Sequence, residues 1–176
     1  RDRITEIAAL KVVEGEVVER FVSLIYPGTS VPAHISQLTG IYDDMLADAP
    51  AFSAIAEELL EWLGSACLVA HNARFDASFL RNEFKRAGYT YRPTLICTLR
   101  ISRRLNPSLP KHNLAALLSH FNIPRMREHR AEDDAVALWE LWQAWQRECD
   151  AATWQAALAD EQRHRSLRLN VLISWF

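Results

Sequence analysis

Two short stretches of this chain set ionisable side chains at spacings that suit hydrolysis of a phosphodiester bond. In His129-Arg-Ala-Glu-Asp-Asp134 an imidazole stands five residues ahead of a carboxylate, and in Leu68-Val-Ala-His-Asn-Ala-Arg-Phe-Asp76 a carboxylate follows a short apolar run. Breaking such a bond requires charge to be stabilised on the attacking and leaving oxygens. A pair of divalent cations about 3.5–4 Å apart does this well, and holding such a pair takes several carboxylates. A histidine titrates near neutral pH and can take a proton from a cation-bound water. Each part has a plainer explanation when taken alone. An aspartate in the first turn of a helix is favoured there by the helix dipole, and a single histidine is more often an ordinary surface residue. The combination of a strand-edge Asp76, then His129, then Asp134 after four intervening residues is what points to a nuclease centre.

These groups need a framework, and the apolar pattern supplies one. Ile4 to Val13 and Val17 to Ile25 are rich in β-branched and apolar residues and are separated by Glu14-Gly15, which predicts an antiparallel hairpin. Pro32 to Leu38 suits a short helix ending at Thr39-Gly40. Phe52, Ile55, Ala56, Leu59, Leu60 and Leu63 recur at three- and four-residue steps, a helix that Gly64 stops. Cys67 to Ala70 reads as a short buried strand, Phe75 to Ala87 as a helix closed by Gly88, and Thr94 to Cys97 as another short strand. Helices follow at Leu99–Leu105, Asn113–Phe121 and Ala131–Cys149. A hairpin followed by strands alternating with helices predicts a mixed α/β sheet flanked by helices. Asp76 then falls at the C-terminal edge of a strand, where such sheets commonly place ligands, with the Asn72 amide beside it to orient a ligand or the turn. Asp134 falls in the first turn of the last long helix. On that helix Ala131, Ala135, Leu138, Leu141, Trp142 and Trp145 share one broad face, which predicts core rather than a base-stacking platform.

Composition narrows the class. The chain has 176 residues, about half of them apolar, ample for one core and short for two, so residues 1–149 are expected as one domain and 150–176 as an extension or linker. No apolar run approaches the roughly 20 residues of a membrane span, and Arg1-Asp-Arg-Ile-Thr-Glu6 lacks the apolar core of a signal peptide, so a soluble cytoplasmic protein is expected. The three cysteines, Cys67, Cys97 and Cys149, are widely spaced and predict reduced core residues rather than a disulfide framework or a zinc knuckle. Net charge of −2 hides a segregation: residues 1–63 carry four Lys/Arg against eleven Asp/Glu, while 74–111 carry nine against two. Arg74, Arg81, Lys85, Arg86, Arg92, Arg100, Arg103, Arg104 and Lys111 could line a track for a phosphodiester backbone, or could form a solvated face.

At these residues the sequence resembles the DEDDh (DnaQ-like) 3′–5′ exonucleases, the family of the epsilon proofreading subunit of bacterial DNA polymerase III. The resemblance runs from about Arg3 to Trp145. It takes in Arg3-Ile-Thr-Glu-Ile-Ala8, Leu38-Thr-Gly-Ile41, the segment around Asp76, Cys97-Thr-Leu99 with Leu109-Pro-Lys-His-Asn-Leu114, and His129–Asp134. It implies an RNase H-like fold, two Mg²⁺ or Mn²⁺ ions, and stepwise release of 5′-mononucleotides from a single-stranded DNA or RNA 3′ end, with a DNA polymerase as a partner. Asp76 and Asp134 become metal ligands, His129 the general base, and Thr39, Gly40 and Ile41 neighbours of the 3′-terminal nucleotide. Asp133 is left as a solvent-facing neighbour. The family's first motif, an Asp-x-Glu on a strand directly before the segment resembling Arg3–Val13, has no counterpart in the chain. Glu6 falls on the following strand, where the family has a glutamate that is not the principal ligand. Two of the four family carboxylates are thus missing, and the resemblance implies weak metal binding and little turnover by residues 1–176 alone. It also implies an empty central slot in the sheet unless another strand fills it. The alternatives are a catalytically inactive nucleic-acid-binding relative and a polymerase-associated docking module.

Overall fold

The computed structural model describes residues 3–124, 130–161 and 169–175, the last stretch as backbone alone. The elements are β1 (Glu6–Val13), β2 (Glu16–Leu24), α1 (Ala33–Thr39), α2 (Asp43–Leu46), α3 (Phe52–Leu63), β3 (Cys67–Ala70), α4 (Ala73–Arg86), β4 (Leu95–Cys97), α5 (Thr98–Leu105), α6 (Leu114–His120), α7 (Ala131–Glu148), α8 (Ala151–Glu161) and β5 (Leu169–Trp175). The expected hairpin is β1 and β2, closed by Glu14 and Gly15. Both hold positive φ angles, 51° and 86°, which is the backbone that matches the twist of paired strands across a two-residue turn.

The five strands form one sheet in the order β2-β1-β5-β3-β4. β1 pairs antiparallel with β2 and with β5, and β3 pairs parallel with β5 and with β4. The slot between β1 and β3 is therefore filled, and the segment that fills it is Leu169–Trp175. Residues 150–176, read from sequence as an extension or linker, supply α8 and the middle strand of the sheet. The apolar ending Val171-Leu-Ile-Ser-Trp-Phe176 carries no turn signal and no alternation that marks its pairing partner. Only the gap left between two strands distant in sequence shows where it goes.

Helices cover both faces, which explains why β1 and β3 are almost wholly buried rather than alternating with solvent. Ile7 and Ala9 of β1, with Leu68 and Ala70 of β3, pack against Phe52, Ala56, Leu59, Ala77, Leu80 and Phe84 of α3 and α4. The intervening residues Leu10, Val12, Cys67 and Val69 face Ile101, Leu117, Leu138, Leu141, Trp145 and Leu158 of α5 to α8. The tryptophan stripe is core, as its helical spacing predicts: Trp145 is fully buried and its Nε1 donates to Asn106 Oδ1 at 3.1 Å. Trp142 meets Trp154 of α8 edge to face. All three cysteines are free, Cys67 and Cys97 buried, and burial pushes the Cys67 thiol up to about 12. Among the described residues no helix is long and apolar enough to cross a membrane.

Candidate active site

Asp76 sits in the first turn of α4, directly after β3. The turn between them places Asn72 in the left-handed region at φ 71°, a conformation asparagine tolerates, and this aims the helix N-terminus back over the strand end. Asn72 makes no side-chain cap; its carbonyl accepts from the Phe75 N–H. Asp76 is 8% exposed, and its Oδ2 is buried without a hydrogen-bond partner. Burial raises its carboxyl to about 7, outweighing a hydrogen bond from its own main-chain N–H. A buried carboxyl with an oxygen left over carries an electrostatic cost that a cation would relieve.

Asp134 lies in the first turn of α7 and is 4% exposed, while the neighbouring Asp133 is half-buried. Ala131 and Ala135, fully buried, let this turn approach the sheet closely. His129 lies outside the described residues, so the structure gives its sequence neighbour Arg130 and not the imidazole itself.

The start of α7 is fixed from β1. Glu6, 3% exposed, accepts from Arg130 Nη2 at 2.8 Å and from Arg130 Nε, and its Oε2 accepts from the Ala131 N–H at 2.8 Å. Hydrogen bonding to Glu6 raises Arg130 above its ordinary value. Both carboxylate oxygens are thus engaged within the protein, by Arg130 and by the start of α7.

A second buried network, not singled out from the sequence, joins the ends of β3 and β4. His71 Nε2 lies 2.8 Å from the His112 carbonyl and so carries the hydrogen, which leaves Nδ1 as an acceptor 3.1 Å from the Thr98 hydroxyl, whose proton it shares with the Ala70 carbonyl at 3.3 Å. Ser102 Oγ lies 3.1 Å from His112 Nδ1. Burial lowers His71 to about 4, so it is neutral at physiological pH and is no general base there. The available signal was the His71-Asn72 pair at the strand end, a polar dipeptide following four buried residues.

Between α1 and the Phe75–Phe79 side of α4 opens a cleft of about 620 Å³ lined by Arg3, His34, Leu38, Thr39, Phe75 and Phe79, among others. Phe75 is half exposed and packs against Phe79, so an aromatic face looks into the cleft next to the Asp76 backbone. Thr39 donates to the Ile35 carbonyl and accepts from the Ile41 N–H. Gly40, at φ 69°, closes α1, and Ile41 is buried. The basic block is partly engaged internally: Arg86 pairs with Glu83, Arg100 with Glu161, and Arg104 with Asp160. The last two pairs tie α5 to α8, and Glu161 also accepts from the Cys97 N–H.

The exonuclease family profile matches residues 1–142. The chain belongs to the DnaQ-like exonuclease family. It is 40% identical over 147 residues to DNA polymerase III PolC-type of Oceanobacillus iheyensis, and 41% identical over 138 residues to that of Bacillus cereus. These alignments cover 81% and 77% of this chain. The chain spans about a tenth of the length of those polymerases. Among solved structures, exonuclease X in complex with 5′ overhanging duplex DNA is 25% identical with a TM-score of 0.65, covering 87% of this chain and 89% of the other. A 3′-exonuclease that recognises histone mRNA stem-loop is 16% identical with a TM-score of 0.67, covering 81% and 56%, and shares the fold. The sheet with helices on both faces is thus the RNase H-like fold of this exonuclease family.

Proposed function

We propose that the chain is the nucleolytic part of a 3′–5′ exonuclease that acts on single-stranded DNA or RNA ends, with residues 150–176 completing its sheet. Asp76 and Asp134 would hold divalent cations, Mg²⁺ or Mn²⁺, and His129 would be the general base. The observation that carries this reading is the partnerless, buried Oδ2 of Asp76 at a strand edge, on a helix whose neighbouring residue Phe75 lines a cleft of nucleotide size. Such an oxygen fits a cation. When bound, the ions would supply charge stabilisation on the attacking and leaving oxygens.

The remaining steps belong to the chain's own residues. The exposed ring of Phe75 would stack on a terminal base, with Leu38 and Thr39 on the facing wall of the cleft. His129 would accept a proton from the attacking water as its oxygen bonds to phosphorus and the bond to the preceding 3′ oxygen breaks, releasing a 5′-mononucleotide. Arg103 and Lys111, both exposed, would steer the backbone toward the cleft without reading sequence. The similarity to PolC-type polymerases supports a DNA polymerase as partner or as neighbour in a longer chain, and with it a cytoplasmic location.

His129→Ala should lower turnover by about 10²–10⁴-fold without shifting the melting temperature. An unchanged rate removes His129 from the mechanism. A second reading has one observation in its favour. β5, the strand next to β3, has the sequence Leu-Asn-Val-Leu-Ile-Ser-Trp and carries no carboxylate. Residues 1–176 would then bind single strands and turn them over slowly or not at all. Salt-sensitive binding without any cleavage in Mn²⁺ selects that reading.

A further inference from the structure

Glu6 and Arg130 are 124 positions apart, yet the glutamate takes up both the Arg130 guanidinium and the Ala131 N–H. The first N–H groups of a helix have no partner within it and are ordinarily met by a side chain from the residue just before the helix. In α7 that residue is Arg130, which cannot accept a hydrogen bond and makes no cap. The acceptor comes instead from the middle of the fold, from a β1 strand that is itself paired on both sides. Three of the four hydrogen bonds to Glu6 run from Arg130 and the fourth from the helix backbone, so the link is charged and forked, with the glutamate buried and the guanidinium partly exposed. One turn further on, the Asp134 N–H donates to the Arg130 carbonyl at 3.0 Å. Whatever fixes Arg130 and Ala131 therefore fixes the turn that carries Asp134.

We infer that Glu6 is a positioning residue: it anchors the first turn of α7 to β1 and so sets where the Asp134 carboxylate stands, with no direct contact to a cation of its own. This rests on the reading of Asp134 as a metal ligand. Groups that orient a ligand commonly change metal affinity by 10–100-fold when removed. A group whose only duty was to stabilise the fold would not do so once the variant is folded.

The test compares Glu6→Ala, Glu6→Gln and Asp134→Asn, singly and with each Glu6 change placed on Asp134→Asn. Mn²⁺ affinity is read by calorimetry, and amide exchange of residues 131–135 is followed without metal. Glu6→Ala should weaken Mn²⁺ binding by about tenfold or more and strip exchange protection from the Ala131 and Asp134 amides. Glu6→Gln keeps an acceptor for Ala131 but loses the charge facing Arg130, so it should fall between, and it decides the matter if the alanine variant does not fold. On the Asp134→Asn background neither change should weaken Mn²⁺ binding further. Equal weakening on both backgrounds, or unaltered Mn²⁺ affinity in a folded Glu6→Gln protein with lost protection, overturns the inference. Asp134→Asn that by itself leaves Mn²⁺ binding intact shows a different failure, that of Asp134 as a ligand, and removes the inference with it.

Discussion

His71 at the end of β3 and His112, forty-one residues later, are joined by a 2.8 Å hydrogen bond from ring Nε2 to the main-chain carbonyl. The loop that follows α5 is thereby pinned to the strand edge that leads into Asp76. Arg103 is near enough to depress the imidazole further, so the basic face and the carboxylate edge meet at this residue.

The network has a pH signature. His71 lies at about 4 when folded against 6.5 for the free side chain. Between these values the unfolded chain takes up a proton that the folded chain refuses. The contribution is whole above pH 6.5 and is lost as pH falls toward 4, by about 3 kcal/mol. His71→Gln cannot titrate, so its urea midpoint should fall less between pH 7 and pH 5 than that of the wild type. Parallel pH dependence of the two proteins would show that the imidazole is not buried as described.

Asp76 has the opposite sign over an overlapping window. Its folded value of about 7 exceeds the ordinary 3.8, so the folded state binds the extra proton. Its favourable contribution is present below 3.8 and is lost as pH rises through 7. Asp76→Asn should therefore stabilise the metal-free protein at pH 8, by about 2–4 kcal/mol, while it abolishes any cation-dependent activity. Mn²⁺ should raise the wild-type melting temperature and leave that of the asparagine variant in place. Destabilisation by Asp76→Asn at pH 8 would contradict the assignment of an unrelieved carboxylate.

The basic block can be divided by its partners. Arg100 is held by Glu161, whereas Arg103 and Lys111 are exposed beside the His71 network. Arg103→Ala and Lys111→Ala should weaken single-strand binding alike on unrelated sequences, each lowering the slope of log affinity against log salt by about one. Arg100→Ala should do much less. Filter binding at several salt concentrations checks this, and a larger loss at Arg100 would place the nucleic-acid track along α5 and α8 instead.

What could be read in advance follows the range over which each signal acts. The hairpin, the helices from Phe52 to Glu148 and the burial of Trp145 are written in local periodicity, and the structure has them within a residue or two. The positions of Asp76 and Asp134, in the first turns of α4 and α7, were legible because each stands at the start of a periodic apolar segment. The Glu6 link to Arg130 and the insertion of Leu169–Trp175 between β1 and β3 were not legible, since both depend on contacts across more than a hundred residues that no spacing encodes. The His71 network was not legible for a related reason: Thr98, Ser102 and His112 all lie outside the His71 segment and look unremarkable alone.

The central claim is that Asp76 serves cation-dependent removal of nucleotides from a 3′ end. Its most direct test is to incubate the purified chain and its Asp76→Asn variant with a 5′-labelled single-stranded oligonucleotide in Mn²⁺ and to resolve the products with time. The account predicts slow, stepwise shortening from the 3′ end with release of 5′-mononucleotides, abolished by the substitution. Internal cuts, or shortening that persists in Asp76→Asn, would contradict it.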